Sequence, residues 1–365
     1  MRRARRTRRV TTPRADRVIL IYGVTGYTGQ LVLHECLASG VRPVLAGRNA
    51  ESVRALAEPH GLDWRVAALD DRAALDAALA GASVVIHCAG PFSRTSRPMA
   101  DACLRNRVHY LDITGEIGVF EALAARDAEA KAAGVMLLPG AGFDVVPSDC
   151  LAAHLKRRLP AATSLTLAFH GGTGLSRGTA TTMAENAGSP GAVRRGGRIV
   201  AVPPAWRSRV IDFGDRPRMT ATIPWGDVST AFYSTGIPDI EVFAAMSPAS
   251  VRSLRLSRWL APLLRTAWVR RRLVAAIDRR PPGPSAEARQ RAVARLWGEV
   301  RDGEGHTASA SLECPDGYTL TARTAVLAAR TVLTGGAVPG FQTPSLAFGA
   351  DFILQVPGCV RTDLP

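Results

Sequence analysis

Lysine is almost missing from this 365-residue chain: Lys131 and Lys156 are the only two, and arginine carries the rest of a formal charge of +15. With alanine abundant as well, that bias reads as the mark of a G+C-rich genome as much as of a basic surface, so no nucleic-acid partner is expected. The excess is also uneven. Arg2, Arg3, Arg5, Arg6, Arg8, Arg9, Arg14 and Arg17 supply about half of it, in a leader with hardly any apolar residue. Residues 1–16 are therefore expected to be a disordered basic leader. The apolar run behind it is a strand and lacks a cleavage site, which argues against an export signal. Cys36, Cys88, Cys103, Cys150, Cys314 and Cys359 are scattered, with no CxxC pair and no Cys/His spacing for zinc. No metal site is expected, and a reducing cytoplasm fits best. No run of about 18 apolar residues is free of arginine, so no transmembrane helix is expected.

What the chain does have is apolar residues, 47% of the total, enough for a large core and two domains. From Arg17 onward short apolar runs alternate with helical periods. "RVILIYG", "VRPVLAGR", "DWRVAALD", "ASVVIHCAGPF", "VHYLDITGE" and "VMLLPGAGFD" read as strands separated by helices. That rhythm predicts an α/β fold, a Rossmann-type doubly wound parallel sheet over 17–149. After Asp149 the rhythm changes. "SLTLAFHGG", "RMTATIPWGD", "IPDIEVFAAMS", "TASASLECPD" and "GYTLTARTAV" read as strands of a second α+β domain with a mixed sheet, over 150–335. The aromatic, Gly/Pro-rich end, 336–365, is expected to return to the first domain.

Gly23, Gly26 and Gly29 stand where the first strand gives way to the first helix. Gly23 permits a tight turn, Gly26 lets the backbone approach phosphate, and Gly29 lets the helix lie close to the sheet. With Thr25, Tyr27 and Thr28 they form a candidate dinucleotide loop. A spaced-glycine turn is weak by itself; its strand–loop–helix setting gives it weight. About 20 residues on, where an NAD-binding fold places an acid for the ribose, this chain has Arg48, suited to a 2′-phosphate. Asp70, ending the third strand, is placed either to accept from the adenine amino group or to cap the surface.

In this order and at these separations, "GVTGYTG", "AGR", "HCAGPF", "HYLDITGE" and "GFDVVPSD" resemble the saccharopine dehydrogenase-like oxidoreductases, which include saccharopine reductases and trans-acting enoyl reductases. The similarity runs on through "SRGTATTMAE" and "FQTPSLAFGADFIL". The resemblance implies a Rossmann domain binding NADP(H), a second domain over the nicotinamide, and a C-terminal return to the first domain.

Strand ends face the ligand crevice in such sheets. Ala89, Gly90, Pro91 and Phe92, following His87, are expected to line the nicotinamide ribose. Asp112, Thr114 and Glu116 lie in the next loop, and Phe143 and Asp144 in the one after. Asp112 and Glu116 are candidates to position substrate or relay a proton, or else they cap loops and helix starts. The chain has no YxxxK pair and so lacks the tyrosine–lysine relay of short-chain dehydrogenases. His170 is placed at a strand end facing the cleft, a structural histidine more readily than a catalytic one. Cys150, with His154 a turn later, opens a rival reading as the thiolate of a semialdehyde or acyl-phosphate reductase, although the adjacent Asp149 opposes a thiolate.

Residues 251–277 hold seven arginines and no acid among apolar residues at helical spacing. They are read as a core- or dimer-facing stripe with a basic face, or as a contact for an anionic membrane or a carrier protein; Pro262 should bend or break the helix. The expectation is an NADPH-dependent reductase acting on a polarised C=C or C=N bond of a small-molecule or acyl substrate. A dinucleotide-binding scaffold or sensor without turnover is the rival.

Overall fold

The computed structural model describes residues 18–171, 174–264 and 266–365. The expected leader lies outside them. Six strands, β1 (Ile19–Tyr22), β2 (Val44–Gly47), β3 (Trp64–Val66), β4 (Val84–His87), β5 (His109–Asp112) and β6 (Met136–Leu138), alternate with α1 (Tyr27–Ala38), α2 (Ala50–Ala57), α3 (Arg72–Leu79), α4 (Phe92–Asn106), α5 (Ile117–Ala124) and α6 (Asp127–Ala133). Their sheet is parallel throughout, in the order β6-β5-β4-β1-β2-β3. The chain reverses direction between β1 and β4, the place where such a sheet opens its ligand crevice. Alternation along the strands divides the packing. Ile19, Ile21, Ile86 and Leu111 meet α1 and α2, while Leu20, Val85 and Tyr110 meet α3 and α4.

After β6 the chain runs through α7 (Val146–Arg158), β7 (Ser164–His170), α8 (Arg177–Glu185), β8 (Gly191–Arg195), β9 (Arg198–Val202), β10 (Ser208–Asp212), β11 (Pro217–Thr222), α9 (Asp227–Thr235) and β12 (Asp239–Ala245). It continues with α10 (Pro248–Leu264), α11 (Ala267–Ile277), α12 (Ala286–Arg291), β13 (Val293–Arg301), β14 (Thr307–Pro315) and α13 (Gly317–Thr331), and the chain ends with β15 (Gly340–Phe341), α14 (Pro344–Phe348) and β16 (Val360–Leu364). The second sheet runs β10-β11-β12-β7-β13-β14-β16, with β8 and β9 attached to β12. It is mixed, because β12 and β7 are parallel while their other neighbours are antiparallel.

Two expectations are corrected. "GYTLTARTAV" is not a strand but the start of α13. Asp316 caps that helix by accepting from the amides of Tyr318 (3.0 Å) and Thr319 (3.2 Å). Buried Thr321, Thr324, Ala325 and Ala328 recur at helical spacing, which outweighs the β-branched content of Thr319, Thr321, Thr324 and Val326. This helix covers the first sheet beside α1, and Thr324 donates to the carbonyl of Ala141 (2.8 Å). The C-terminal segment also divides. Gly340–Phe341 extends the first sheet beside β6, but Val360–Leu364 pairs with β14 of the second. One apolar cluster, from Ile21 and Val32 through Leu151 and Leu167 to Leu320 and Val326, passes through both layers without interruption.

His87 is buried between the rings of Tyr22 (5.5 Å), Phe92 (5.5 Å) and Tyr110 (6.2 Å), and that burial pushes its pKa down to about 3. An unfolded chain takes up this proton below an ordinary value of about 6.5, so the histidine's presence costs stability as pH falls from there toward 3. His87→Leu should therefore lose less stability than the parent between about pH 6.5 and 4, with a difference growing by up to about 1.4 kcal/mol per pH unit. Denaturant titrations across that range measure it; parallel curves would show that His87 does not carry the effect.

Candidate cofactor crevice

The glycine loop has the geometry that an anion-binding turn requires. Gly23 has φ +82°, and a Cβ there would sit 2.8 Å from Cβ of Ala89, so the loops after β1 and β4 touch backbone to backbone. A Cβ on Gly29 would fall 2.4 Å from the carbonyl oxygen of Gly23, which fixes α1 against the strand end. Gly26 caps α1 without a side-chain hydrogen bond, and no acid occupies the first turn. The leading amides of the helix are thus left for a ligand. Thr25 is exposed and Thr28 half-buried. Tyr27 is committed elsewhere. Its hydroxyl donates to the carbonyl of Pro284 (2.6 Å) and accepts from Arg289 (2.7 Å), and its ring meets Tyr318 edge-on at 5.2 Å. Only its backbone remains to the loop.

Arg48 is exposed just past β2 and forms no hydrogen bond or ion pair with the described chain. Asp70 is exposed past β3. Both lie close enough to bear on the Tyr22 hydroxyl, whose pKa is raised by burial first, then lowered by Arg48 and raised by Asp70. Arginine and aspartate therefore both stand near the Tyr22 hydroxyl, beyond the ends of β2 and β3. These residues fit an NADP(H) with its pyrophosphate on α1 and its 2′-phosphate at Arg48.

Ala89, Gly90 and Pro91 lie in the loop after β4 and Phe92 opens α4; the carbonyl of Ala89 accepts from Thr95 (2.6 Å). The next two loops are held by the carboxylates singled out in the sequence. Asp112 is fully buried; it accepts from the Tyr110 hydroxyl (2.5 Å) and from the amides of Thr114 (3.0 Å) and Gly140 (2.9 Å). Burial raises its pKa to about 6 against the pull of those bonds. Glu116 accepts from the amides of Phe92 (2.8 Å) and Ser93 (3.0 Å) and so caps α4, while its own amide donates to buried Thr114 (3.0 Å). Both carboxylates are occupied by backbone donors, which gives the capping alternative a concrete form.

Asp144, in the loop after β6, differs. It is half-buried, lies against Gly115, and makes no hydrogen bond or ion pair in the described chain. Burial pushes its carboxyl up to about 7. Phe143 beside it meets Phe169 edge-on (6.2 Å), and Phe169 lies 4.6 Å from Trp225. An aromatic wall from the second sheet thus faces the crevice of the first. His170 does not share it, since β7 alternates and the imidazole packs on Phe213 (5.9 Å) on the opposite face.

The thiolate reading of Cys150 is overturned. Cys150 is fully buried, and burial followed by the charge of Asp149 drives its pKa far up. His154 instead pairs with Asp363 (2.6 Å). Among the described residues one group of potential metal ligands converges, Asp302, Glu304 and His306 on the β13–β14 turn. There Asp302 accepts from the amides of Glu304 and His306 and faces the His306 ring, a network that closes the turn.

A parallel sheet with a glycine loop at its first crossover, roofed by a second mixed sheet, defines a two-domain dinucleotide-binding protein. Residues 19–138 match the family described as the saccharopine dehydrogenase NADP binding domain. The trans-acting enoyl reductase of Mycobacterium leprae is 36% identical over 149 residues, which are 39% of this chain and 36% of that protein. Its Mycobacterium tuberculosis counterpart is 33% identical over 148 residues, 38% of this chain and 35% of that one. The match thus spans about a third of these relatives' length. The apo saccharopine dehydrogenase (L-Glu forming) of Saccharomyces cerevisiae is similar in fold, with a TM-score of 0.63 at 13% identity, covering 96% of this chain and 100% of that one. Residues 19–138 are thus similar to the saccharopine dehydrogenase NADP binding domain, and this first domain binds NADP(H).

Arg48→Ala should weaken NADPH by about 1.5–3 kcal/mol while leaving NADH nearly unchanged, as expected for one charge-assisted pair. Gly29→Ala should instead weaken both cofactors, because its new Cβ displaces the turn. Fluorescence titration of each nucleotide separates the two; equal losses for Arg48→Ala would remove the phosphate-reading role.

Proposed function

We propose that the protein is an NADPH-dependent reductase of a polarised C=C bond on an acyl substrate. The observation that carries this reading is the aromatic wall of Phe143, Phe169 and Trp225 standing beside Asp144, a crevice carboxyl with no protein partner. Similarity to proteins named trans-acting enoyl reductases supports the same chemistry.

When bound, NADPH would supply the hydride. The chain's own contribution is placement and a proton. Gly23–Gly29 and Arg48 hold the two phosphate ends, and the backbone of Ala89–Phe92 borders the ribose. The aromatic wall excludes water and aligns an apolar chain, worth most when the reacting carbon is held about 3–3.5 Å from the donor. Reduction of an enoyl bond also needs a proton at the adjacent carbon, and Asp144 is the group we assign to deliver it. Asp112 and Glu116 act through the loops they hold.

An imine of a dicarboxylic amino acid is the second acceptor considered. The placement of arginine weighs against it. Arg195 and Arg207 pair with Glu241, and Arg295 lies opposite His170 in register, so these guanidinium groups occupy the sheet face turned away from Phe169. A dicarboxylate at the aromatic wall would lack them as a clamp.

Asp144→Asn should lower turnover by roughly 10²-fold or more with NADPH affinity nearly unchanged. An acid with a carboxyl near 7 is protonated below that pH, so wild-type turnover should fall as pH rises through about 7, and the variant should lose that limb. Enoyl thioesters assayed beside cyclic and glutamate-derived imines, following NADPH oxidation, test the acceptor. Oxidation by imines alone would reverse the substrate reading. A chain that binds NADPH and oxidises it with none of them would be the non-catalytic scaffold.

A further inference from the structure

From Met246 to Ile277 the chain carries no acidic residue, and the structure turns this stretch into two surface helices, α10 and α11. Each is fastened near one end. Val251 is buried with Ala205 and Ala221, and Arg255 donates to the carbonyl of Ala205 (3.1 Å) and the hydroxyl of Ser208 (3.0 Å). Ile277 is buried with Ala180 and Ala184 of α8. Between these fastenings the large apolar side chains face outward. Trp259 is 71% exposed, Leu256 63%, and Leu260 and Leu263 55% each. Their spacing, i, i+3, i+4 and i+7, puts them in one stripe along α10. Trp268, 65% exposed, stands at the start of α11. Each tryptophan has a guanidinium over its ring: Arg258 lies 4.8 Å from Trp259, and Arg272 lies 5.1 Å from Trp268. Arg252 and Arg271 are exposed nearby.

The core-facing stripe expected from the sequence is therefore not what formed, because only Val251 and Ile277 are buried within these two helices. A patch of this kind marks a contact surface. We propose that α10 and α11 form a membrane-binding device, with Leu256, Trp259, Leu260, Leu263 and Trp268 seated in the interfacial layer of a bilayer rich in anionic phospholipid. No helix of the described chain is long and apolar enough to cross a membrane. A helix lying in the plane of the bilayer needs only one apolar stripe, with arginine at the phosphate level and tryptophan at the boundary. The absence of any acid from Met246 to Ile277 leaves nothing in the patch to repel a negative surface. A second copy of the chain fits less well. An isologous contact would set the same arginine-rich, acid-free patch against itself, with like charges facing. This inference does not depend on the reductase reading.

The test is flotation of the full chain with vesicles of phosphatidylcholine alone or of phosphatidylcholine containing phosphatidylglycerol. The bound fraction should rise about tenfold or more with the anionic lipid and fall again in high salt. Brominated lipid should quench tryptophan emission. In W259S/L260S, with its melting temperature and NADPH affinity checked, binding should drop at least about fivefold and most of the quenching should disappear. In R258Q/R271Q/R272Q the preference for anionic vesicles should shrink. The arginine-rich residues 1–17 are unchanged in both variants, so adsorption through them would survive the apolar substitutions and overturn the proposal. Equal binding to both vesicle types would overturn it too. So would a dimer in light scattering that W259S/L260S dissociates without any vesicle binding by the parent, or binding confined to an acidic carrier protein.

Discussion

The crevice depends on one buried carboxylate. Asp112 ends β5 at the floor of the cleft and accepts from Tyr110 beside it, from Thr114 in its own loop and from Gly140 in the next. Its carbonyl accepts from Ala141 (2.7 Å) as well, so a single residue ties the loops after β5 and β6 together. An unpartnered carboxylate in that position would be strongly unfavourable, and three donors are what make its burial tolerable. Through those loops Asp112 sets the position of Glu116, which caps α4, and of Asp144, which is left without a protein partner.

The two sheets share a core. Helix α13 follows β14 of the second sheet yet packs on α1 and the first, and the apolar cluster continues from one to the other. The roof of the crevice is thus joined to its floor by packed side chains as well as by backbone. The second sheet is two-sided in consequence. Its inner face offers Phe169 and Leu167, and its outer face carries His170, Glu241 and the arginines that pair with it. Chemistry that needs an apolar cleft and chemistry that needs guanidinium groups are separated by one residue of strand register.

The first domain was legible in the sequence because its signals are local. Each strand and helix announces itself by period, and Gly23, Gly26, Gly29 and Arg48 owe their places to chain positions fixed by the first two units. The second domain was less legible. The β-branched content of 317–326 imitates a strand, whereas Asp316 and the buried face of α13 make a helix; only a sheet to pack on decides between them.

What the sequence determined by itself was the parallel sheet, the glycine turn after β1 and an arginine rather than an acid past β2, all of which depend on residues within a turn or two of one another. Tertiary structure alone decided which carboxylates serve the fold and which remain free. Asp112 and Glu116 meet amides of neighbouring loops, and Cys150 is enclosed by the C-terminal segment at Gly349 while His154 is drawn off to Asp363. It also left Leu256, Trp259, Leu260 and Leu263 of α10 exposed. A side chain's protonation and reach are set by whichever groups the fold brings within a few ångströms, and chain spacing does not encode those groups.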